Sequence, residues 1–317
     1  MEGGSVIVSR TDSLGDLVLT LPLATFLKWL GCKEVTFLIR REFFPLARLF
    51  EGIDQVISPE DFLKNKDLGK ADAIIHVFPK FRLAYESLKK GIKERIGTSR
   101  RWYHLFFCNR LVPLSRKGSK LHEAQLNIKL VADLYSLPVP DLKEIFNMYR
   151  WKEPKVEIPI LPGKPFFIVH PLSRGSAPRW SLKNFIDLTL HLRKRFKVLV
   201  TGSAEEGEIL KKSGFFEKTG AMDLTGKLDI VQLFALIKES EGIVSNSTGP
   251  LHIAATLGKR AVGIYASRKP FHPSRWGPIG PNAVALTGRD SCFVRCSKEE
   301  CSCIQMIKPD DVESVIL

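Results

Sequence analysis

The stretch Val244-Ser-Asn-Ser-Thr-Gly-Pro-Leu-His-Ile-Ala-Ala-Thr-Leu-Gly258 runs from a strand through a turn of small polar residues into a short helix. Gly249 lets the backbone turn tightly, Pro250 suits the first helical position, and Gly258 closes the helix. Ser247 or Thr248 is placed to cap the first amides. A strand feeding directly into a helix N-terminus is the joint of an α/β unit. The free amides and the helix dipole at such a joint favour an anion. His252, in the first turn, would add a ring donor to that anion. The same residues also suit a plain capped turn, so the surrounding sequence has to be read with them.

Working outward, the second half of the chain repeats the pattern. Phe166-Phe-Ile-Val-His170, Lys197-Val-Leu-Val-Thr201, Gly242-Ile-Val-Ser245 and Arg260-Ala-Val-Gly-Ile-Tyr265 read as buried strands, with helical stretches at about 182–196, 229–239 and 250–258. The first half is similar. Ser5-Val-Ile-Val-Ser9, Glu34 to Ile39, Asp54 to Ile57 and Ala71 to Phe78 read as strands, and Leu17 to Leu30 as a helix that Pro22 either kinks or begins. Strands alternating with helices predict parallel sheets with right-handed crossovers. Prolines cluster at 137–140 and 151–165, which predicts a linker and two Rossmann-like domains, 1–155 and 156–317. Two such halves imply a cleft, with ligands beyond the strand C-termini.

Composition narrows the class. The chain has 317 residues, 44% hydrophobic and 26% charged, with a formal net charge of +14. No basic-then-apolar leader and no run of 18 apolar residues is present, so the expectation is a cytoplasmic protein. Residues 80–129 hold 13 Lys or Arg against three acids, Glu86, Glu94 and Glu123. Trp102, Tyr103, Phe106 and Phe107 interleave these charges, as on a surface for an anionic, amphiphilic partner, although a solubilising face has the same composition. No nucleic-acid-binding motif accompanies the basic stretch, so no nucleic acid is expected as partner. Cys292, Cys296, Cys301 and Cys303 form a C-x3-C-x4-C-x-C cluster, whose spacing leaves disulfides, free thiols and a metal site open.

Four loops directly after strands carry the chemistry. Arg10 to Asp16 ends in an acid that is either a helix-start charge or a general base, with Asp12 as the competing carboxylate. His170 to Trp180 supplies Ser173, Gly175, Ser176, Arg174 and Arg179, a set suited to phosphate or to a solvent loop. Thr201 to Glu208 places Glu206 after a glycine turn, as a ribose acceptor would sit, without forming G-x-G-x-x-G. The fourth is the 244–258 segment. No Walker A, H-E-x-x-H, G-x-S-x-G or D-x-D motif occurs, which demotes P-loop, metal-hydrolase and serine-hydrolase readings.

In order, Ile7 to Pro22, the His170–Trp180 loop, Asp223-Leu-Thr-Gly-Lys-Leu228 and Ser247 to Ala255 resemble glycosyltransferase family 9, the bacterial lipopolysaccharide heptosyltransferases of GT-B fold. The resemblance implies inverting transfer of a heptose from ADP-heptose to the inner core of lipopolysaccharide, with Asp16 as catalytic base and neither metal nor cofactor. It further implies that Ser173, Arg174 and Ser176 face phosphate or sugar, that Glu206 meets ribose, and that Lys227 and Leu228 flank the base. Thr248, Gly249 and His252 would then receive the diphosphate. Arg10, Arg95, Arg100 and Arg101 are the acceptor-side candidates. The partners implied are a nucleotide sugar and an anionic lipid-linked saccharide, with peripheral contact at the inner membrane. Two positions depart from the family pattern. Ser247 stands where the family has Asp, which leaves the sugar open, and Pro178 stands where it often has Lys, so Arg174, Arg179 or Lys183 would substitute. A nucleotide-sugar epimerase, or a GT-B enzyme with another donor, is the alternative.

Overall fold

A computed structural model describes residues 2–65, 71–158, 165–173, 175, 177–289, 292 and 301–317. They form two compact units, Met1–Glu153 and Pro154–Leu317. Among the described residues no helix is long and apolar enough to cross a membrane.

The first unit is built on β1 (Ser5–Ser9), β2 (Glu34–Leu38), β3 (Gln55–Ile57), β4 (Ala73–His76), β5 (Glu94–Thr98) and β6 (Arg110–Val112). They pair in the order β3-β2-β1-β4-β5-β6, every pairing parallel. The central strands are continuous apolar runs because helices cover both faces of such a sheet. Ile7, Leu38, Ile74, Leu83 and Ile92 join one buried cluster. Each such side chain stabilises the fold by roughly 1.5–3 kcal/mol relative to exposure.

The second unit repeats this arrangement. Its strands are β7 (Phe166–His170), β8 (Lys197–Val200), β9 (Met222–Asp223), β10 (Gly242–Asn246), β11 (Arg260–Tyr265) and β12 (Ala283–Thr287). The order is β12-β11-β10-β7-β8-β9, again all parallel. Counted from its own first strand, this is the same doubly wound order as the first unit. Each sheet therefore has one point where the winding direction reverses, between β1 and β4 and between β7 and β10. Open α/β sheets bind ligands at the carboxyl ends of the strands flanking that point.

Several elements differ from the sequence reading. The 17–30 helix is two helices, Leu14–Val18 and Leu21–Trp29, with Pro22 in the first turn of the second, where its missing N–H costs nothing. Strands β5, β6, β9 and β12 are additional to that reading; β5, β6 and β9 are short or interrupted by charge, whereas β12 is the apolar run Ala283-Val-Ala-Leu286. The prolines at 137–140 do not belong to a linker. They lead into the helix Leu142–Phe146, whose Ile145 is fully buried, and Phe50 bridges Trp151 in antiparallel fashion. Residues 159–164 of the expected linker lie outside the described residues. So does Cys296. Of the other cluster members, Cys301 and Cys303 are buried with their sulfurs 3.1 Å apart, and Cys292 is half-buried.

Candidate active site

At the carboxyl end of β1 the chain passes through Arg10 into the helix Leu14–Val18. Ser13 caps that helix through the Asp16 amide at 3.4 Å, and the Ser13 hydroxyl donates to Asp16 Oδ2 at 2.5 Å. The other carboxylate oxygen, Asp16 Oδ1, accepts from Arg10 Nη2. Both oxygens of Asp16 are thereby oriented, yet its side chain keeps 16% exposure. A carboxylate so held remains reachable by a substrate hydroxyl.

Arg10 is 3% exposed and committed on three sides. Its Nε meets Asp12 at 2.8 Å, its Nη1 reaches Glu123 at 3.2 Å, and Nη2 takes Asp16. Burial works against its charge, but Asp16, Asp12 and Glu123 outweigh that and hold it above its ordinary range. Arg10, expected on the acceptor side, is thus spent on positioning carboxylates. Burial pushes the Asp12 carboxyl up to about 6, against the pull of Arg10 and with the like charge of Asp16 adding to it.

Three further residues complete the cluster, and the sequence reading missed them as site residues. Glu123, 1% exposed, also takes Arg116 Nη1. Arg116 Nη2 reaches the Val77 carbonyl at 3.0 Å, just beyond β4. Asn127, one helical turn after Glu123, receives Arg116 at 3.2 Å and donates to the Leu19 carbonyl at 3.1 Å. The cluster thus spans both strands that flank the reversal point. Its sequence signal is the pair Glu123 and Asn127, four residues apart and so on one face of the helix Glu123–Ala132.

Of the remaining acceptor-side candidates, Arg95 is used internally. Its Nε donates to the Phe107 carbonyl at 2.7 Å and its Nη1 to the Ile92 carbonyl. Arg100 and Arg101 are exposed, immediately after β5.

In the second unit the reversal point is organised by Asn246, the last residue of β10. Its Nδ2 donates to the Pro171 carbonyl at 2.7 Å, and its Oδ1 accepts the Trp180 amide at 2.9 Å. One side chain therefore pins both ends of the 171–180 loop, and sequence reading did not single it out. Trp180 is itself anchored by its indole N–H on the Ile307 carbonyl at 2.8 Å. Inside the loop Ser173 Oγ is buried without a partner among the described residues, and Gly175 has φ +75°, a left-handed conformation natural to glycine. Arg174 and Ser176 lie outside the described residues. Arg179 is half-buried, and Lys183 is exposed in the first turn of the helix Leu182–Leu192.

The helix of the 244–258 segment runs Gly249–Thr256, with Thr248 at its N-cap position. No side chain caps it, contrary to expectation. Thr248 Oγ1 lies 2.9 Å from Ser245 Oγ, while Ser247 hydrogen-bonds the Tyr265 hydroxyl. The first amides are therefore left for another acceptor. His252 is 3% exposed, so its ring is part of the packing. Glu206 closes a capping box, with Oε2 accepting the Ser203 amide at 2.8 Å. Lys227 donates to the Asp223 carbonyl at 2.6 Å, and Leu228 is half-buried beside the Gly226 turn.

Residues 65–306 match the family described as glycosyltransferase family 9 (heptosyltransferase). The chain belongs to glycosyltransferase family 9. As a family 9 glycosyltransferase it is similar to lipooligosaccharide heptosyltransferase 2 of Campylobacter jejuni, at 24% identity over 94% of this chain and 93% of the relative. The family 9 fold is equally clear in solved structures. The E. coli ADP-heptose LPS heptosyltransferase II superposes with a TM-score of 0.76 at 19% identity, covering 98% of each chain. E. coli heptosyltransferase WaaC with ADP gives 0.72 at 15% identity, also over 98% of each.

Proposed function

We propose that this family 9 glycosyltransferase transfers a heptose from ADP-heptose to the inner core of lipopolysaccharide, by single displacement with inversion. The observation that carries the reading is Asp16. It is a carboxylate at the carboxyl end of β1, at the winding reversal, held by Arg10 and Ser13 and still partly exposed. Relatives named as heptosyltransferases, and a solved relative holding ADP, support the donor and acceptor classes.

In this mechanism the acceptor hydroxyl oxygen attacks the anomeric carbon while its proton passes to Asp16. The bond from that carbon to the diphosphate breaks, and ADP leaves with the bonding pair. The second unit would receive this charge at the uncapped amides of Thr248 and Gly249, with Ser173, Arg174, Ser176, Arg179 and Lys183 as further donors. Donors placed where charge develops are each worth roughly 100- to 1000-fold in rate. Glu206, Lys227 and Leu228 are assigned to the ribose and base, using the groups that capping and turn bonds leave open. Ser247, braced by Tyr265, would meet the sugar where the family pattern has an acid. No metal is assigned to the chemistry.

Asp16→Asn tests the base. It keeps the volume and the hydrogen bond from Ser13, and the proposal expects kcat to fall by roughly 100- to 10,000-fold with ADP binding preserved. Near-normal turnover in that variant would remove Asp16 from the role. A thermal shift with ADP-sugars but not UDP-, GDP- or CMP-sugars tests the donor.

A further inference from the structure

Three cysteines of the second unit converge on Ser267, just beyond β11. Cys303 Sγ accepts the Ser267 amide at 3.4 Å, and the Cys292 amide donates to the Ser267 carbonyl at 3.2 Å. Cys301 Sγ lies 3.1 Å from Cys303 Sγ, and the Cys292 side chain hydrogen-bonds that same Cys303 sulfur. Cys303 is thus the hub of three sulfurs, brought together from the residue after β12 and from the 301–303 segment. Cys301 and Cys303 are each 1% exposed, whereas Cys292 is half-buried and gives the group a way in from solvent. Cys32 and Cys108 are buried in the first unit, away from this group, as small apolar residues would be.

Sulfurs gathered this way suit a metal ion better than a core. A thiol is a weak hydrogen-bonding group, and 3.1 Å is far longer than the roughly 2.05 Å of a disulfide bond. Thiolate sets select zinc or iron, and thiolates around one zinc ion sit about 2.3 Å from it, hence about 3.8 Å from each other. A small turn of the Cys301 or Cys303 side chain opens the pair to that span. The Ser267 N–H aimed at Cys303 is the kind of outer partner that orients a ligating group. The place also suits a brace. Cys303 lies in the helix Ser302–Gln305, whose Gln305 donates to the Arg179 carbonyl at 2.8 Å and accepts the Ser181 amide at 3.0 Å. Ile307, just beyond, takes the Trp180 indole N–H. The segment carrying the sulfurs therefore holds the far end of the 171–180 loop.

We propose that Cys292, Cys301 and Cys303 bind one divalent metal ion of thiolate preference, zinc or iron(II), which braces the 171–180 loop. Binding releases the thiol protons to solvent and fills three of four tetrahedral positions with sulfur. The brace acts on the donor only if the transfer reading holds, whereas metal uptake is measured with neither donor nor acceptor present. The experiment is elemental analysis of the full chain purified under reducing conditions, followed by chelation and titration with cobalt(II). About one zinc or iron per chain is expected. Cobalt should then bring a thiolate-to-metal charge-transfer band in the near ultraviolet. Loss of a ligand should exceed the roughly 10- to 100-fold cost of losing an outer partner, so Cys303→Ser should weaken cobalt binding more than about 100-fold. Cys292→Ser, at a half-buried position, should do the same with the fold intact, and Cys32→Ser should bind as wild type does. Chelation should lower the melting temperature of wild type and leave that of Cys292→Ser unchanged. A chain that takes up no cobalt overturns the proposal, as does a disulfide among these cysteines in the freshly purified protein. ADP binding should weaken several-fold on chelation, and ADP binding that chelation leaves unchanged would overturn the brace.

Discussion

Asn246 accepts the Trp180 backbone amide at 2.9 Å, joining the end of β10 to the far end of a loop that begins at β7. The same side chain holds the near end through Pro171, so the loop's shape depends on one amide group. An amide serves because it donates on one side and accepts on the other.

Replacing that group should therefore be costly. Asn246→Ala leaves a buried N–H and a buried carbonyl unpaired, at roughly 1–3 kcal/mol each. Asn246→Asp retains only the acceptor. Both variants are expected to lower the urea midpoint, with the alanine variant also raising KM for the donor. Wild-type stability in both would show that the loop is held by other means.

Glu123 neutralises two arginines from a position 1% exposed to solvent. Glu123→Gln keeps its shape and removes its charge, leaving Arg116 without its carboxylate. A loss of roughly 3 kcal/mol is expected, the scale for breaking a buried pair. Chemical denaturation checks it, and a change below about 0.5 kcal/mol, the scale of a surface substitution, would reassign the pair to one of little worth.

Asp12 predicts a pH dependence. Its carboxyl lies at about 6 in the folded chain against an ordinary 3.8, so the native state binds this proton more tightly than the unfolded chain. The sign follows from linkage: the stabilisation is full below 3.8 and lost as pH rises through about 6. Unfolding free energies measured across that window should fall with pH more steeply for wild type than for Asp12→Asn. Parallel curves would contradict the assignment.

Gly207 is packed against Thr225, whose hydroxyl a Cβ at this position would strike. That hydroxyl donates to Asp223 at 2.6 Å and helps form the turn before Lys227. Gly207→Ala gains about 1 kcal/mol in helix propensity but overpacks by about 1–3 kcal/mol. Net destabilisation is expected in a thermal melt, and a raised melting point would show that the turn yields freely.

Much of this protein was fixed by local pattern. Strands β1, β2, β4, β7, β8, β10 and β11 could be read because a parallel strand covered on both faces is a short apolar run, bounded by polar turns. The loops after β1, β7 and β10 stood out for a related reason, since small and charged residues between a strand and a helix start leave few structural roles. Strands β5 and β6 were illegible, because Glu94, Arg95, Arg110 and Leu111 sit toward a sheet edge where water tolerates any side chain. What tertiary structure alone decided was pairing. Arg10 meets Glu123 across 113 residues, and Asn246 meets Trp180 across 66. Local sequence cannot encode such contacts, because they exist only once parallel crossovers bring strand ends into register. The uncapped helix at Gly249 is the same lesson, since Ser247 and Thr248 had the chemistry to cap it but found stronger claims in Tyr265 and Ser245.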